Sequence, residues 1–98
     1  MPLFVVHALD KAKTGAEIRA KNRSSHLEWA GKLGDKLRSG GPLMSDDGKQ
    51  MIGSMLIIDY EDLTSLNAHL RTDPYAIGGL FERVDVHEFK WLLGKVRN

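Results

Sequence analysis

Two almost wholly apolar segments constrain the fold of this chain more than any other feature. The first is Leu3–Leu9, and the second is Met55–Ile58, which lies within a longer strand predicted at Gln50–Tyr60. Such runs are typical of β-strands that are buried on both faces. A chain of 98 residues is expected to form one domain, spanning residues 1–98, with a single core. The sheet that contains these strands therefore has to be covered on both sides.

A helical region is predicted between the two strands, in two parts. Residues 16–22 have a helical composition but few apolar anchors, so only one or two helical turns are expected there. The main helix is predicted from about His26 to Arg38, where apolar residues recur at helical spacing. These residues are Leu27, Ala30, Leu33 and Leu37. The segment Gly40–Pro42 would end the helix, because glycine adopts left-handed angles and proline cannot continue a helix.

The remaining segments complete a β-α-β-β-α-β order. Leu43–Ser45 is expected to be a short strand at best, and Asp47-Gly48 is a signal for a hairpin turn. A second helix is predicted at Glu61–Arg71 and a last strand at Leu80–Phe89. This order is typical of the ferredoxin-like fold of the α+β class, in which two helices cover one face of a four-stranded antiparallel sheet.

Two helices can cover only one face of such a sheet, yet the first and third strands are apolar on both faces. The other face needs a cover, and a second copy of the chain is the simplest one. We therefore predict a homodimer that packs sheet against sheet, to which the apolar tail Trp91–Leu93 would add contacts.

The composition argues against several function classes. The 14 basic and 13 acidic residues give a net charge of +1, whereas a dedicated nucleic-acid binder usually carries a basic face. The absence of cysteine excludes disulfides and thiolate chemistry. The first residues lack the features of a signal peptide and no apolar run has the length of a membrane span, so a cytoplasmic protein without a membrane or nucleic-acid partner is expected.

His26 is the first candidate for chemistry. Ser25 and Glu28 have the spacing of a capping box, which would place His26 in the first turn of the main helix. Near the positive end of the helix dipole an imidazole is favoured in its neutral form and can act as a base. The alternative is a surface histidine behind a serine cap, and the local pattern alone favours that alternative.

Asp73 is the second candidate. It precedes Pro74 at the end of the second helix, so it can serve as the N-cap of the next turn. The functional alternative is that its carboxylate orients His26, since a carboxylate bound to one ring nitrogen fixes the tautomer and raises the basicity of the other nitrogen. The two helices of a ferredoxin-like fold lie side by side, which permits this pair.

His7 lies within the first strand and has two equally good interpretations. It would line a pocket if its face lies under the helices, and otherwise it would be a buried histidine at the dimer interface. His7, His26 and Asp73 lack the sequence spacing of a metal site, so no metal is predicted.

Five short segments of the chain have the order and spacing of motifs from one family. They are Arg23–Leu27, Ser39–Leu43, Gly53–Ile57, Thr72–Tyr75 followed by Gly78 or Gly79, and Val84–Phe89. The first resembles an Arg-Pro-Ala-His-Leu segment, with Ser24 in the place of the usual proline. The fourth resembles an Asp-Pro-Tyr segment. Taken together, they resemble the YciI-like (YCII-related) family.

The resemblance implies a fold and a site. It implies a dimeric ferredoxin-like α/β-barrel, similar to muconolactone isomerase, and an active-site pair formed by His26 and Asp73. It also implies acid–base chemistry, such as dehydrochlorination, on a small cyclic or aromatic compound.

We therefore predict a small homodimeric enzyme without a cofactor, in which His26 is the general base or acid and Asp73 orients it. The predicted substrate-binding residues are Arg23, Ser25, Tyr75 and His7. Arg23 and Ser25 would bind an anionic or phenolic oxygen at the helix start. The alternative is a non-catalytic binding or accessory dimer that holds a small ligand in the same cleft.

Overall fold

The predicted ferredoxin-like order is confirmed. The computed structural model describes residues 1–94 and leaves the last four residues, Lys95–Asn98, undescribed. The strands are β1 (Leu3–Asp10), β2 (Leu37–Met44), β3 (Met51–Asp59) and β4 (Phe81–Phe89), and the helices are α1 (Gly15–Gly31), α2 (Leu63–Leu70) and α3 (Pro74–Ile77). The strands form one antiparallel sheet in the order β2-β3-β1-β4. Within residues 1–94, no helix is long and apolar enough to span a membrane.

The core lies between the helices and one face of the sheet. Phe4 and Val6 of β1 pack with Leu56 and Ile58 of β3, and Leu66 of α2 closes the cluster from above. The strand pairing fixes this arrangement, because Phe4 lies opposite Ile58 and Val6 lies opposite Leu56. Alternate residues of each strand point to opposite faces of a sheet, so the other residues of β1 face away from the helices.

Within residues 1–94 the second face of the sheet, which we call the open face, is covered only in part. Its residues in β1 and β3 are Leu3, Val5, His7, Leu9, Met55 and Ile57. Burial on both faces, as predicted for β1, is therefore wrong for the single chain. Leu9 is 37% exposed and His7 is also exposed, whereas Ile57 is buried.

The first helix differs from the prediction. A single helix of 17 residues runs from Gly15 to Gly31, whereas the sequence pattern predicted short turns followed by a helix from His26 to Arg38. Ser25 does not cap a helix start, because Ser24 and Ser25 both lie in the interior of this helix, where their side chains are exposed. The segment between Gly15 and Gly31 contains neither glycine nor proline, the residues that most strongly break a helix.

The end of this helix and the next strand also differ from the prediction. After Gly31 the chain makes a short 3₁₀ turn that contains Gly34 in the left-handed region (φ 57°). The helix ends at Gly31 with Lys32 as its C-cap, so the role predicted for Gly40 is wrong and Gly40 lies in the next strand. Strand β2 then has eight residues rather than three, and Pro42 is tolerated there because β2 is an edge strand. Leu37 lies in this strand, and Leu27 is half-exposed on α1.

A buried ion pair anchors α1 to the sheet. The guanidinium of Arg19 donates from Nε and Nη2 to the two carboxylate oxygens of Asp10, at 2.9 and 3.0 Å. Its Nη2 also donates to the carbonyl of Gly53 at 2.9 Å and to the hydroxyl of Ser54 at 3.0 Å. Arg19 is only 8% exposed. A single side chain thus joins α1 to the end of β1 and to the centre of β3.

Substitution of Ser25 distinguishes one continuous helix from a helix that starts at this residue. Ser25→Ala should raise the free energy of unfolding by a few tenths of a kcal/mol, because alanine is the better helix former at an interior, exposed position. A capping serine would instead cost about 0.5–2 kcal/mol. Urea unfolding measures the difference. Asp62→Ala is the positive control and should destabilise the protein, since Asp62 caps α2 by accepting the N–H of Ser65 at 2.7 Å.

Substitution of Arg19 tests the buried ion pair. Arg19→Gln should lower the free energy of unfolding by about 3–5 kcal/mol, because it leaves the buried carboxylate of Asp10 without its partner. The matched control is Lys21→Gln, which removes an exposed positive charge from the same helix and should change stability by less than about 0.5 kcal/mol. Equal effects of the two substitutions, measured by urea unfolding, would contradict the anchoring role.

Candidate functional site

His26 and Asp73 meet at a hydrogen bond. His26 Nδ1 lies 2.8 Å from Asp73 Oδ1, although 47 positions separate the two residues in the chain. His26 lies in the second half of α1, not in a first helical turn, so the predicted influence of the helix dipole on it is wrong. What places the imidazole is the packing of α1 against α3, since Asp73 immediately precedes α3.

Asp73 has two bonds on the same oxygen. Its Oδ1 accepts the backbone N–H of Tyr75 at 2.9 Å, which makes Asp73 the N-cap of α3, with Pro74 at the first helical position. The same oxygen contacts His26. The capping role and the histidine contact, which were alternatives in the sequence, are therefore both present. Asp73 is 4% exposed, and its carboxylate is held from two directions.

The imidazole of His26 is stacked on Tyr75. The two ring centroids are 3.9 Å apart and the ring planes are inclined by 10°. The guanidinium of Arg19 lies over the Tyr75 ring at 5.0 Å. Burial raises the pKa of the Tyr75 phenol above its usual value, against the opposing influence of the Arg19 charge. Tyr75 therefore stays a neutral, flat support for His26 at neutral pH.

A second group of aromatic rings extends from the other side of His26. Trp29 lies one helical turn further along α1, with its ring 6.0 Å from that of His26 and 5.0 Å from that of His69. The indole N–H of Trp29 donates to the hydroxyl of Thr72 at 2.9 Å. Because Thr72 precedes Asp73 in the chain, this bond ties α1 to the segment that presents the carboxylate.

His26 borders two clefts. The larger, of about 240 Å³, lies between the helices and the sheet. Its lining residues are Val6, Ala8, His26, Ser54, Leu56, Asn67, Leu70, Arg71, Asp73, Ala76, Phe81, Val84 and Val86. The smaller, of about 180 Å³, lies on the β2 side of α1 and includes Arg23 and Tyr75. A largely apolar cleft with a few polar groups is the usual form of a small-molecule site.

The other predicted site residues are placed differently. Arg23 lines the smaller cleft beside His26. Ser25 is exposed on α1 and lines neither cleft. His7 lies on the open face, opposite the helices, so the prediction that it lines the pocket with His26 is wrong for a single chain. The anion site predicted at a helix start is also wrong, because Arg23 and Ser25 lie in the middle of α1.

The sequence interpretation missed five residues around this site: Arg19, Trp29, Ser54, Asn67 and Arg71. Two features of the sequence could have indicated Arg19 and Trp29. The first half of α1 has hardly any apolar anchor, which indicates that a polar side chain attaches it to the sheet. Trp29 lies three residues after His26, a spacing that places two side chains on the same helix face. Among residues 1–94 no group of three or more His, Cys, Asp and Glu side chains is arranged to hold a metal ion.

The family resemblance is confirmed by comparison with known proteins. A family model of the YCII-related domain matches residues 2–90. The chain is 34% identical to Protein YciI of Escherichia coli O6:H1 and equally to Protein YciI of Shigella flexneri. Each alignment covers 90% of this chain and 96% of the relative.

Two solved structures show the same fold. The 5-chloro-2-hydroxyhydroquinone dehydrochlorinase TftG of Burkholderia phenoliruptrix, in complex with 2,5-dihydroxybenzoquinone, matches with a TM-score of 0.82 and 29% identity, over 90% of this chain and 93% of its own. A candidate antibiotic biosynthesis monooxygenase of Bacteroides thetaiotaomicron matches with a TM-score of 0.61 and 11% identity, over 99% and 94% of the two chains. The second likeness shows the fold alone. The sheet order, the family match and the relatives together show that this chain belongs to the YCII-related family of dimeric α/β-barrel proteins.

Proposed function

We propose that this protein is a homodimeric enzyme that performs acid–base chemistry on a small cyclic or aromatic compound. In this proposal His26 is the proton-transferring group and Asp73 orients it. The observation that carries the proposal is the 2.8 Å contact between His26 Nδ1 and Asp73 Oδ1 on the wall of the larger cleft. The predicted cytoplasmic location stays a prediction.

The hydrogen bond assigns a role to each ring nitrogen. An ionised Asp73 only accepts hydrogen bonds, so the proton of the neutral imidazole lies on Nδ1 and the lone pair lies on Nε2. Within residues 1–94 Nε2 has no hydrogen-bond partner. It is therefore free to take a proton from a bound compound. The imidazolium that results is stabilised by the carboxylate of Asp73.

The cleft supports this chemistry in two ways. Its walls are mainly apolar side chains, which lower the local dielectric constant and so strengthen electrostatic interactions inside. Its volume of about 240 Å³ is below the roughly 300–1,000 Å³ of sites for drug-sized ligands. A cavity of about 150 Å³ already holds benzene. A single ring with a few substituents therefore matches the available space.

The reaction class is suggested by the dehydrochlorinase of the same fold. In a dehydrochlorination the base takes a proton, the electron pair of the broken bond forms a new double bond, and chloride leaves with the electrons of the C–Cl bond. Such a step needs one base and no cofactor. An isomerisation uses the same base and then returns the proton to a different atom of the substrate. His26 with Asp73 is sufficient for either reaction.

Substitution of the pair tests the catalytic role. His26→Gln and Asp73→Asn should each lower kcat/KM by about 10²–10⁴-fold, because the first removes the base and the second removes its charged partner. Asparagine caps a helix about as well as aspartate, so Asp73→Asn should retain the stability of α3. Turnover is measured on chlorinated hydroquinones, phenols and lactones, with Lys21→Gln as the control. Full activity of His26→Gln would contradict the assignment.

The alternative function is a binding or accessory protein without catalysis. It is favoured by the structural role of Asp73, whose bond to the N–H of Tyr75 explains a buried aspartate at this position without any reaction. In that case compounds would bind in the larger cleft and none would be converted. The turnover screen, performed together with a binding measurement, separates the two functions.

The proposed dimer is supported by the open face. Apolar residues of β1 and β3 point away from the helices, and among residues 1–94 this face is covered only in part, since Leu9 and His7 stay exposed. The fold is that of the dimeric α/β-barrel proteins. In such a dimer His7 would lie at the interface, which was the second interpretation of this residue. Leu92 and Leu93 are 83% and 88% exposed, so the tail is available for contacts.

A charge on the open face tests the dimer. Val5→Lys should convert the wild-type dimer into a monomer, because the lysine would be buried without a partner between two sheets. Val5 lies at the middle of the face, between Ile57 and His87 on the neighbouring strands. Leu63→Lys is the control, because Leu63 is exposed on α2. Size-exclusion chromatography with light scattering measures the mass. A monomeric wild type at micromolar concentration would contradict the proposal.

A further inference from the structure

Two polar side chains on the wall of the larger cleft have no partner within residues 1–94. They are the amide of Asn67 and the guanidinium of Arg71. Arg71 follows Asn67 by four residues at the end of α2, a spacing that places both side chains on one face of the helix. Both border the cleft that His26 and Asp73 also border.

Arg71 contrasts with the other arginines near the sheet. Arg19 is saturated by Asp10, Gly53 and Ser54, and Arg83 forms an ion pair with Asp85 at 2.8 Å. Neither lines the larger cleft. Arg71 lies at the rim of a cleft whose other walls are mostly apolar, so its five N–H donors are left for water or for a bound anion.

We propose that Arg71 and Asn67 form an oxyanion subsite, and that the compound bound in the larger cleft is a single ring carrying an ionised oxygen. The ionised group would be a phenolate, an enolate or a carboxylate. Arginine presents a planar fork that matches two oxygens, and the Asn67 amide adds a further donor. The inference rests on the proposed function for its choice of the larger cleft, and it goes beyond that function by naming the charge of the ligand and the residues that select it.

The subsite also assists the proposed chemistry. When His26 Nε2 takes a proton from a saturated ring carbon beside a carbonyl group, the C–H bond breaks, its electron pair forms a carbon–carbon double bond, and the π pair of the carbonyl moves onto the carbonyl oxygen. The negative charge that develops on this oxygen is stabilised by a fixed cation and an N–H donor. Arg71 would thus contribute both to the selection of the ligand and to the stability of the ionised intermediate.

A competing anion site is the smaller cleft, where Arg23 lies next to His26. Within residues 1–94 Arg23, like Arg71, forms no ion pair, but it borders a smaller space that Asn67 does not line. Substitution of each arginine in turn therefore shows which of the two clefts binds the anion.

The experiment measures binding to the full-length protein by isothermal titration calorimetry, with three compounds of one ring. 2,5-Dihydroxybenzoquinone is a vinylogous carboxylic acid and is ionised at neutral pH, benzoate carries a carboxylate, and hydroquinone is neutral. The variants are Arg71→Gln and Asn67→Ala for the subsite, Arg23→Gln for the competing cleft, and Lys21→Gln as a control for the loss of one positive charge. Urea unfolding confirms that each variant is folded.

The wild type should bind the two ionised compounds roughly 10-fold or more tightly than hydroquinone, since a charge-assisted pair is of that strength. Arg71→Gln should remove this preference for ionised compounds and keep the affinity for hydroquinone within about twofold of the wild-type value. Asn67→Ala should weaken the preference. Lys21→Gln and Arg23→Gln should retain the wild-type preference for ionised compounds. Loss of the preference in Arg23→Gln instead of Arg71→Gln, or no binding of either ionised compound, would overturn the inference.

The two proposals fail in different ways. If Arg71-dependent binding of ionised rings is found but no compound is converted by the wild type, the subsite stands and the catalytic function falls. If conversion depends on His26 but is insensitive to Arg71→Gln in both KM and kcat, the catalytic function stands and the subsite falls.

Discussion

The buried contact between Arg19 and Asp10 is the interaction on which the rest of the site depends. Arg19 joins α1 to β1 and β3 through four hydrogen bonds, and its guanidinium lies over the ring of Tyr75. The ring of Tyr75 in turn stacks on the imidazole of His26, with the ring centroids 3.9 Å apart. A charged group is costly to bury unless its partners are fixed. The same fixed partners hold α1 in the orientation that brings His26 to Asp73.

Asp73 links the stability of the protein to its proposed chemistry. One oxygen of its carboxylate both caps α3 and contacts His26, so the position of the cap sets the position of the proposed catalytic pair. Trp29 adds a second restraint through the hydroxyl of Thr72. The imidazole is therefore restrained by a hydrogen bond on one nitrogen and by stacked rings, while its other nitrogen has no partner among residues 1–94. Such a restrained group with one free atom is what acid–base catalysis requires.

The sequence was sufficient for the element order and for the two residues of the pair, but for different reasons. Apolar runs, turn signals and helical spacing predicted the β-α-β-β-α-β order, while only the family resemblance raised His26 and Asp73 above their ordinary interpretations. The helix start expected at Ser25 was wrong, because Ser25 and Glu28 have the spacing of a capping box although the chain is helical on both sides of Ser25. The anchor at Arg19 was missed because its partners Asp10, Gly53 and Ser54 are distant in the sequence. Long-range polar contacts of this kind leave no local periodicity.

The most direct test of the central claim is the position of the proton on the His26 ring. In ¹⁵N-edited NMR spectra at alkaline pH, where the imidazole is neutral, the nitrogen shifts and the couplings to the ring protons distinguish the two tautomers. We expect Nδ1 to carry the proton, because it lies 2.8 Å from the Asp73 carboxylate oxygen that accepts the hydrogen bond, and Nε2 to be unprotonated. A proton on Nε2, or an equal mixture of the two tautomers, would contradict this expectation.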